Sequence, residues 1–254
     1  MAVLGIDIGS RTIAKVVLES GRIIESAVID SGPNPVARAL CLAGDPDCFT
    51  TVVSTGYGRH AARTALSGEI ITEIKAHAIG AWESVPGCRT VLDIGGQDSK
   101  VIRLDINGNV EDFLMNDKCA AGTGRFLEVM ARILNLSLTE LGHKGGATTA
   151  TVKINSMCTV FAESEVVSLQ ANGTPVEEIS RALLNSVCEK VTSMVYRTGF
   201  AEPLVFTGGL ARIEVLAGMI GEKLNLDVIV PPDPQIIGAF GAALHGERRG
   251  KDGT

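Results

Sequence analysis

The sequence predicts an α/β fold of two lobes that share one plan, with a cleft between them. Segments typical of strands and helices alternate along the chain, which favours layers of helices packed on a sheet. A strand–turn–strand pattern with Asp-Ile-Gly at the turn occurs twice, at residues 4–18 and 91–104. In each half a later strand ends in Thr-Gly, at residues 52–56 and 204–209. Such a repeat indicates two related halves whose glycine turns face each other.

The first lobe is assigned to residues 1–88 and begins with the first of these hairpins. Glycine at the turn tolerates a positive φ and lets a ligand approach the backbone closely. Apolar segments predict strands at residues 2–8, 12–18, 22–30 and 50–54. Helices are predicted at residues 34–43 and 74–85.

The second lobe is assigned to residues 89–235 and repeats the hairpin. Strands are predicted at residues 89–94, 99–104, 109–115, 203–207 and 226–230, and helices at 123–135, 159–171, 176–198 and 211–223. For the helix at 176–198, Thr174 suits the N-cap and Pro175 the first helical position. A last helix at 236–248 is expected to pack back on the first lobe, and residues 249–254 form a polar tail.

Composition narrows the class of protein. The 254-residue chain is 45% hydrophobic and 20% charged, which is ordinary for a globular protein. The net charge is −6 and the basic residues are scattered, so we expect no nucleic-acid partner. The sequence contains no run of about 18 apolar residues, so no membrane span is predicted. Because the opening strand carries no secretion-signal pattern, the cytoplasm is the expected location.

Both Asp-Ile-Gly turns are candidate phosphate sites. A glycine turn offers backbone N–H groups to phosphate oxygens, and an Asp at the end of the preceding strand can hold Mg²⁺ through water. Asp7 and Asp93 occupy that position. Further phosphate and water contacts are predicted at Gly9, Ser10, Arg11, Thr12, Lys15, Gly95, Gly96, Gln97, Asp98 and Lys100. Gln97 and Asp98 both remain candidates for positioning the attacking water.

The other glycine-rich segments complete the predicted nucleotide site. Thr-Gly-Gly-Leu-Ala at 207–211 ends a strand and opens a helix, so a nucleotide can lie beside that helix start. The remaining contacts are predicted at Gly122, Thr123, Gly124, Gly208, Gly209, Leu210, Ala211, Gln235 and Gly238. No Walker sequence and no G-x-G-x-x-G after a strand is present, which excludes the P-loop and Rossmann folds.

These segments resemble the phosphate, connecting and adenosine motifs of the acetate and sugar kinase, chaperone and actin superfamily. The resemblance implies a two-lobed, actin-like ATPase fold of duplicated ribonuclease-H-like domains, with ATP or ADP and Mg²⁺ in the cleft. Four segments are similar to the ATP-dependent activators of 2-hydroxyacyl-CoA dehydratases, a family that includes ATPase subunits of benzoyl-CoA reductases. They lie at 55–59, 93–98, 116–126 and 158–165.

Two of the six cysteines stand out. Cys119 and Cys158 each lie just before a predicted helix, where the helix dipole and free N–H groups favour a thiolate. These are suitable conditions for an anionic iron–sulfur cluster. Because a cytosolic chain keeps its thiols reduced, the others are interpreted as buried or incidental thiols: Cys41, Cys48, Cys88 and Cys188.

A cubane cluster needs four thiolates, and two-fold symmetry supplies them if each subunit contributes Cys119 and Cys158. The resemblance implies such a 4Fe–4S cluster between two identical subunits, in an ATPase coupled to electron transfer. It also implies an iron–sulfur dehydratase as partner and ferredoxin or flavodoxin as electron donor. An exposed cluster between subunits should be sensitive to oxygen, so an anaerobic host is expected. For the flanking Asp117, Lys118 and Glu163, surface or capping roles are favoured over electron transfer.

Other functions remain open from the residues alone. The chain could be the ATPase subunit of a benzoyl-CoA reductase-type enzyme, which would pair with a non-identical relative. A small-molecule kinase of the same fold would need neither Cys119 nor Cys158. A chaperone-like nucleotide switch would release a partner on hydrolysis without redox activity. The acyl-CoA substrate of a partner enzyme is not encoded in these motifs.

Overall fold

The computed structural model describes residues 2–150, 152–155 and 158–252, which form two five-stranded sheets. The first sheet has the order β3-β2-β1-β4-β5, with β1 (Ala2–Ile8), β2 (Thr12–Glu19), β3 (Arg22–Asp30), β4 (Thr51–Thr55) and β5 (Glu69–Ile70). The second has the order β10-β9-β6-β7-β8, with β6 (Thr90–Ile94), β7 (Ser99–Leu104), β8 (Val110–Asn116), β9 (Leu204–Thr207) and β10 (Val228–Ile229).

The helices lie between these strands and after the last of them. They are α1 (Pro35–Ala43), α2 (Arg59–Leu66), α3 (Glu73–Ser84), α4 (Gly124–Ile133), α5 (Leu138–Gly146), α6 (Thr159–Ala171), α7 (Val176–Thr198), α8 (Glu214–Leu224) and α9 (Ile237–Asp252). Short 3-10 turns occupy Pro46–Cys48 and Gly209–Arg212. None of the described helices combines the length and apolar character that crossing a membrane requires.

Both sheets follow the same plan. In the first, β1, β2 and β3 are antiparallel neighbours and β4 runs parallel to β1. In the second, β6, β7 and β8 are antiparallel and β9 runs parallel to β6. The two Asp-Ile-Gly turns therefore join equivalent strands. Asp7 and Asp93 are each the last residue but one of the middle strand of their sheet.

Two helices fill the space between the sheets. On the first sheet, Val16 and Leu18 of β2 pack against Phe240 and Leu244 of α9. On the second, α3 packs against β6, β7 and β8, and α3 and α9 also contact each other. A Cβ at Gly241 of α9 would overlap the backbone of α3, so glycine is required for this close approach.

The largest core belongs to the second lobe. Phe126 and Met130 of α4, Leu183 and Val187 of α7, and Phe206 of β9 are among its buried side chains. Residues of α6 and α8 complete it. The helix that follows Cys119 and the helix that follows Cys158 thus rest on one shared core.

Several elements differ from the sequence prediction. Helices α2 and α5 and strand β5 were not predicted. Pro175 is itself the N-cap of α7, one position later than Thr174. The predicted helix at 211–223 is a 3-10 turn followed by α8, and α9 continues to Asp252, into the predicted tail. Residue 151, at the end of a stretch without motifs, lies outside the described residues.

Candidate active site

A cavity of about 720 Å³ lies between the two sheets, in the size range of small-molecule sites. Residues of both lobes line it. From the predicted set it contains Asp7, Gly9, Ser10, Arg11, Thr12, Asp93, Gly95, Gly96, Gln97, Asp98, Gly124, Gly208, Gly209, Leu210 and Gln235. The structure therefore brings together both hairpins and the Thr-Gly-Gly turn, although they are distant in sequence.

The two hairpin turns have the same geometry. The N–H of Gly9 donates to the carbonyl of Thr12 at 3.0 Å, and the N–H of Gly95 donates to the carbonyl of Asp98 at 2.9 Å. A Thr-Gly turn lies against each one, with Gly56 at φ 80° and Gly208 at φ 88°. A Cβ on Gly208 would lie 2.8 Å from Oδ1 of Asp93. Glycine at these positions allows the turns to approach the carboxylates.

His77 lies between the two strand-end carboxylates. Its Nε2 is 3.7 Å from Oδ2 of Asp7, and its Nδ1 is 3.4 Å from Oδ1 of Asp93. Burial alone lowers the pKa of His77, but the charges of Asp93 and Asp7 outweigh it and raise the pKa to about 9. One side chain of α3 thus faces a carboxylate from each sheet.

Lys100 neutralises the carboxylates of the second hairpin. Its Nζ lies 2.8 Å from Glu73, 3.1 Å from Asp93 and 2.9 Å from Asp98. Burial opposes the charge, yet these three acids hold the pKa of Lys100 well above its usual value. Although burial raises the pKa of Asp93, His77 and Lys100 lower it below its usual value. Lys100 is fully buried and is not among the residues that line the cavity, so its contacts are with these three acids.

The acidic end of the cavity fits Mg²⁺. Oδ1 of Asp7 is buried without a hydrogen-bond partner, so a Mg²⁺-bound water could satisfy it. Donor atoms of Glu73, His77 and Asp93 also lie within 4.8 Å of one another. Lys100 already supplies a cation to two of these three residues. Asp7 is therefore the better candidate for reaching a magnesium ion delivered with nucleotide.

Lys15 does not reach the cavity. It lies on β2 next to Ala14, which lines the cavity, and successive strand residues point to opposite faces. On the far face, its Nζ pairs with Glu25 at 2.7 Å. The prediction of a phosphate contact at Lys15 is inconsistent with this placement.

Four other predicted contacts lie behind the cavity wall. Ala211 is buried in the core of the second lobe. Oγ1 of Thr123 donates to the carbonyl of Ala120 at 2.7 Å. Gly122 packs against Lys190, and Gly238 packs against Asp7 and His77. These residues shape the walls of the site and do not line it.

Glu73 and His77 were absent from the predicted site. Both lie on α3, one helical turn apart, and both line the cavity. Thr72 caps this helix through its side chain, which accepts from the N–H of Lys75. The signal available in the sequence was a capped helix with Glu and His at i and i+4, a spacing that places them on one face.

Cys119 and Cys158 are free and exposed thiols. Cys158 is the N-cap of α6, and Cys119 lies in the loop before α4. Nδ2 of Asn116 holds this loop by donating to the carbonyls of Cys119 and Ala121, each at 2.9 Å. Helices α4 and α6 pack against each other. The chemistry of two accessible thiols at helix starts fits an iron–sulfur cluster that is completed by further thiolates.

The other four cysteines divide into two pairs. Cys41 and Cys48 are exposed. Cys88 and Cys188 are buried, and this burial raises the pKa of each to about 12. The interpretation as incidental or buried thiols therefore agrees with their placement.

The start of α4 is hydrogen-bonded to the second glycine turn. The N–H of Gly124 donates to the carbonyl of Gly95 at 2.9 Å, and the N–H of Arg125 donates to the carbonyl of Gly96 at 2.7 Å. The same helix follows the Cys119 loop. A displacement of this turn would therefore be transmitted directly to the segment that carries Cys119.

Known proteins match nearly the whole chain. The chain matches the BadF/BadG/BcrA/BcrD ATPase family over residues 4–246. It is 43% identical over 253 residues to the activator of lactoyl-CoA dehydratase from Anaerotignum propionicum, covering 96% of this chain and 97% of that protein.

Solved structures confirm the fold predicted from the sequence. The activator of the 2-hydroxyisocaproyl-CoA dehydratase from Clostridium difficile, with bound ADPNP, has a TM-score of 0.93 at 40% identity, covering 100% of this chain and 97% of that one. A ROK family glucokinase from Streptomyces griseus, in complex with glucose and AMPPNP, has a TM-score of 0.62 at 14% identity, covering 98% and 100%. The second likeness concerns the fold alone. Together they establish a two-lobed, actin-like α/β fold.

Proposed function

Because the chain belongs to the BadF/BadG/BcrA/BcrD ATPase family, we propose that it hydrolyses ATP to deliver low-potential electrons to a 2-hydroxyacyl-CoA dehydratase. The family resemblance indicated by the motifs is confirmed by this membership. One observation carries the redox part of the proposal. The helix after Cys119 is hydrogen-bonded to a phosphate turn and packs against the helix capped by Cys158.

ATP would lie between the two hairpins. The N–H groups of the two glycine turns would bind its phosphates. Asp7 would hold Mg²⁺ through water, while Asp93 stays paired with Lys100. Gln97 and Asp98 both line the cavity, and one of them would orient the attacking water. The Thr-Gly-Gly turn and Gln235 would contact the nucleoside.

Cys119 and Cys158 of two identical subunits would together hold one 4Fe–4S cluster. When bound, this group supplies one-electron transfer at low potential. Val160, Phe161 and Val167 of α6 are half or more exposed, close in sequence to Cys158. Exposed apolar residues of this kind are typical of a contact surface. A second copy of the chain would cover them and bring the four thiols together.

Nucleotide can drive electron transfer only by binding two conformations with different affinity. The hydrogen bonds from Gly124 and Arg125 to the second turn give a direct route for this coupling. Closure of the cleft on ATP would move the start of α4 and thereby change how the thiols are presented to the partner. Hydrolysis would reverse the movement.

We further propose a cytoplasmic setting, where thiols remain reduced. Ferredoxin or flavodoxin would supply the electrons, and a separate iron–sulfur dehydratase would accept them. Because the thiols are exposed, a cluster bound there would be sensitive to oxygen.

Anaerobic reconstitution with iron and sulfide tests the proposal. We expect a brown dimer that absorbs near ~400 nm, contains about four iron atoms and reduces a 2-hydroxyacyl-CoA dehydratase when ATP is supplied. Cys119→Ala and Cys158→Ala should each lose the iron. Cys41→Ala, which removes another exposed thiol, is the matched control and should retain it. A colourless, iron-free protein that hydrolyses ATP would contradict the redox role and favour a kinase or switch.

Oligomeric state and partner choice distinguish the nearest alternative. A benzoyl-CoA reductase-type ATPase subunit would bind its cluster only with a non-identical relative. Iron binding by this chain alone, as a homodimer, therefore favours the dehydratase activator. Iron binding that requires a second, different subunit would favour the ring reductase.

A further inference from the structure

His77 contacts one acidic residue from each lobe, Asp7 and Asp93. The middle strand of the first sheet ends near Asp7, and the middle strand of the second carries Asp93. The two ring nitrogens of His77 face one carboxylate each. Within the part of the chain that the structure describes, His77 is the residue paired with both of these acids.

The two contacts are longer than good hydrogen bonds. They measure 3.7 Å to Asp7 and 3.4 Å to Asp93, whereas a well-formed N–H···O bond is about 2.7–3.2 Å long. Nδ1 of His77 and Oδ1 of Asp7 are both buried and lack hydrogen-bond partners. The two carboxylates would need to approach each other by about 0.7 Å to turn both contacts into hydrogen bonds, about 0.5 Å on the Asp7 side and about 0.2 Å on the Asp93 side.

The surrounding glycines hold this arrangement open. A Cβ on Gly238 of α9 would lie 2.9 Å from Nε2 of His77 and would also overlap the carboxylate of Asp7. A Cβ on Gly56 would overlap the same carboxylate. Side chains are therefore absent at the places where the imidazole must reach the acid. His77 also lines the cavity, so a ligand can influence its position.

We propose that His77 is a positioning residue for ATP hydrolysis, which ties Asp7 of the first sheet to Asp93 of the second when the cleft closes on nucleotide. Its two hydrogen bonds would fix the separation of two carboxylates that belong to different lobes. The inference rests on the ATP-hydrolysis part of the proposed function and is independent of the iron–sulfur cluster.

The test compares His77→Ala with His143→Ala, a matched control at an exposed position on α5. We expect His77→Ala to lower kcat about 100-fold, the loss associated with misplacing a catalytic group by about 1 Å. Binding of Mg²⁺ and a non-hydrolysable ATP analogue, measured by calorimetry, should weaken less than about fivefold, because positioning acts mainly in the transition state. His143→Ala should match the unmodified protein in both measurements.

Two further measurements separate positioning from packing. Added imidazole should restore at least about tenfold of the lost kcat in His77→Ala, because the vacated space opens on the cavity. His77→Gln fills most of the same volume but cannot contact both acids, so its kcat should also fall while its melting temperature stays within a few degrees. If His77→Ala fails to fold, this second variant carries the test.

The results that overturn the inference are specific. A kcat within about threefold of the unmodified protein in His77→Gln would do so. A second result would also overturn it: kcat and analogue binding fall to a similar extent, the melting temperature drops, and imidazole restores no activity. That combination would indicate that His77 only packs the site. If the unmodified protein hydrolyses ATP but never binds iron, the redox proposal fails while the inference about His77 is still tested.

Discussion

Arg11 and Glu128 form an ion pair across the cleft, with Nε of Arg11 2.8 Å from Oε1 of Glu128. Arg11 belongs to the first glycine turn, between β1 and β2, and Glu128 lies on α4, the helix after Cys119. A Cβ on Gly96 would lie 2.7 Å from Cβ of Arg11, so glycine in the second turn lets the arginine pass. Both glycine turns are therefore linked to α4.

Breaking this pair should loosen the cleft. We predict that Glu128→Gln speeds the dissociation of a non-hydrolysable ATP analogue by about fivefold, because a partly exposed pair contributes up to about 1 kcal/mol. Stopped-flow fluorescence with a labelled analogue measures the rate. The charge exchange of Arg11→Glu with Glu128→Arg should recover part of it. Glu83→Gln breaks the surface pair with Arg248 at 3.0 Å and is the control. An unchanged rate in Glu128→Gln contradicts a closing role.

Lys100 and Lys15 should respond differently to the same substitution. Lys100→Met leaves three carboxylates without their buried cation and should cost about 3–5 kcal/mol of unfolding free energy. Lys15→Met loses a contact with Glu25, whose side chain is 56% exposed, and should cost about 1 kcal/mol or less. Urea unfolding measures both. The Lys15→Met protein should also hydrolyse ATP at the normal rate. A large loss of activity would support the predicted phosphate contact at Lys15.

Alanine at two helical glycines should change stability in opposite directions. Gly241→Ala places a Cβ against the backbone of α3 and should cost about 2 kcal/mol or more. Gly218 of α8 has no atom within 4 Å of such a Cβ, so Gly218→Ala should stabilise by about 0.5–1 kcal/mol. Thermal unfolding compares them. Equal effects would mean that α3 and α9 do not pack as closely as described.

Thiol labelling near pH 8 should distinguish the exposed cysteines from the buried ones. In the native, cluster-free protein the four exposed thiols should react with a disulfide reagent near pH 8. Cys88 and Cys188 should remain unreactive, because burial raises the pKa of each to about 12 and keeps both thiols protonated at this pH. Denaturant should expose all six. With the cluster bound, only Cys41 and Cys48 should react. Native labelling of Cys88 or Cys188 would contradict their burial.

The hairpins were predictable because two independent local rules agree there. Apolar alternation identifies the strands, and the glycine turn between them determines which residues pair. The predicted strand at 2–8 matches β1, and the predicted strand at 99–104 matches β7. Local sequence carries enough information for such elements.

Helix α5 was missed because its glycines mask it. Gly142 and Gly145 lower helix propensity, yet the helix begins with a capping box between Ser137 and Glu140 that the sequence displays. Packing then stabilises it, since Gly142 lies against Ile213 and Gly145 against α7. Tertiary contacts override propensity in this segment.

Lys15 and His77 show where prediction of the site failed. The face occupied by Lys15 follows from strand alternation, so the correct assignment was available from period 2 alone. The position of His77 between the two carboxylates was not predictable, because it depends on α3 contacting the second sheet and α9 at once. That relation depends on how distant segments pack, which local patterns do not encode.

The return of α9 to the first sheet determines the order in which the lobes can be finished. Ala14, Val16 and Leu18 of β2 have their apolar partners on a helix that leaves the ribosome only after the entire second sheet. During synthesis, one face of the first lobe must therefore wait uncovered while the second lobe is made. The first lobe can therefore complete its packing only at the end of synthesis. Until then the nascent chain exposes an apolar surface of the kind that chaperones bind.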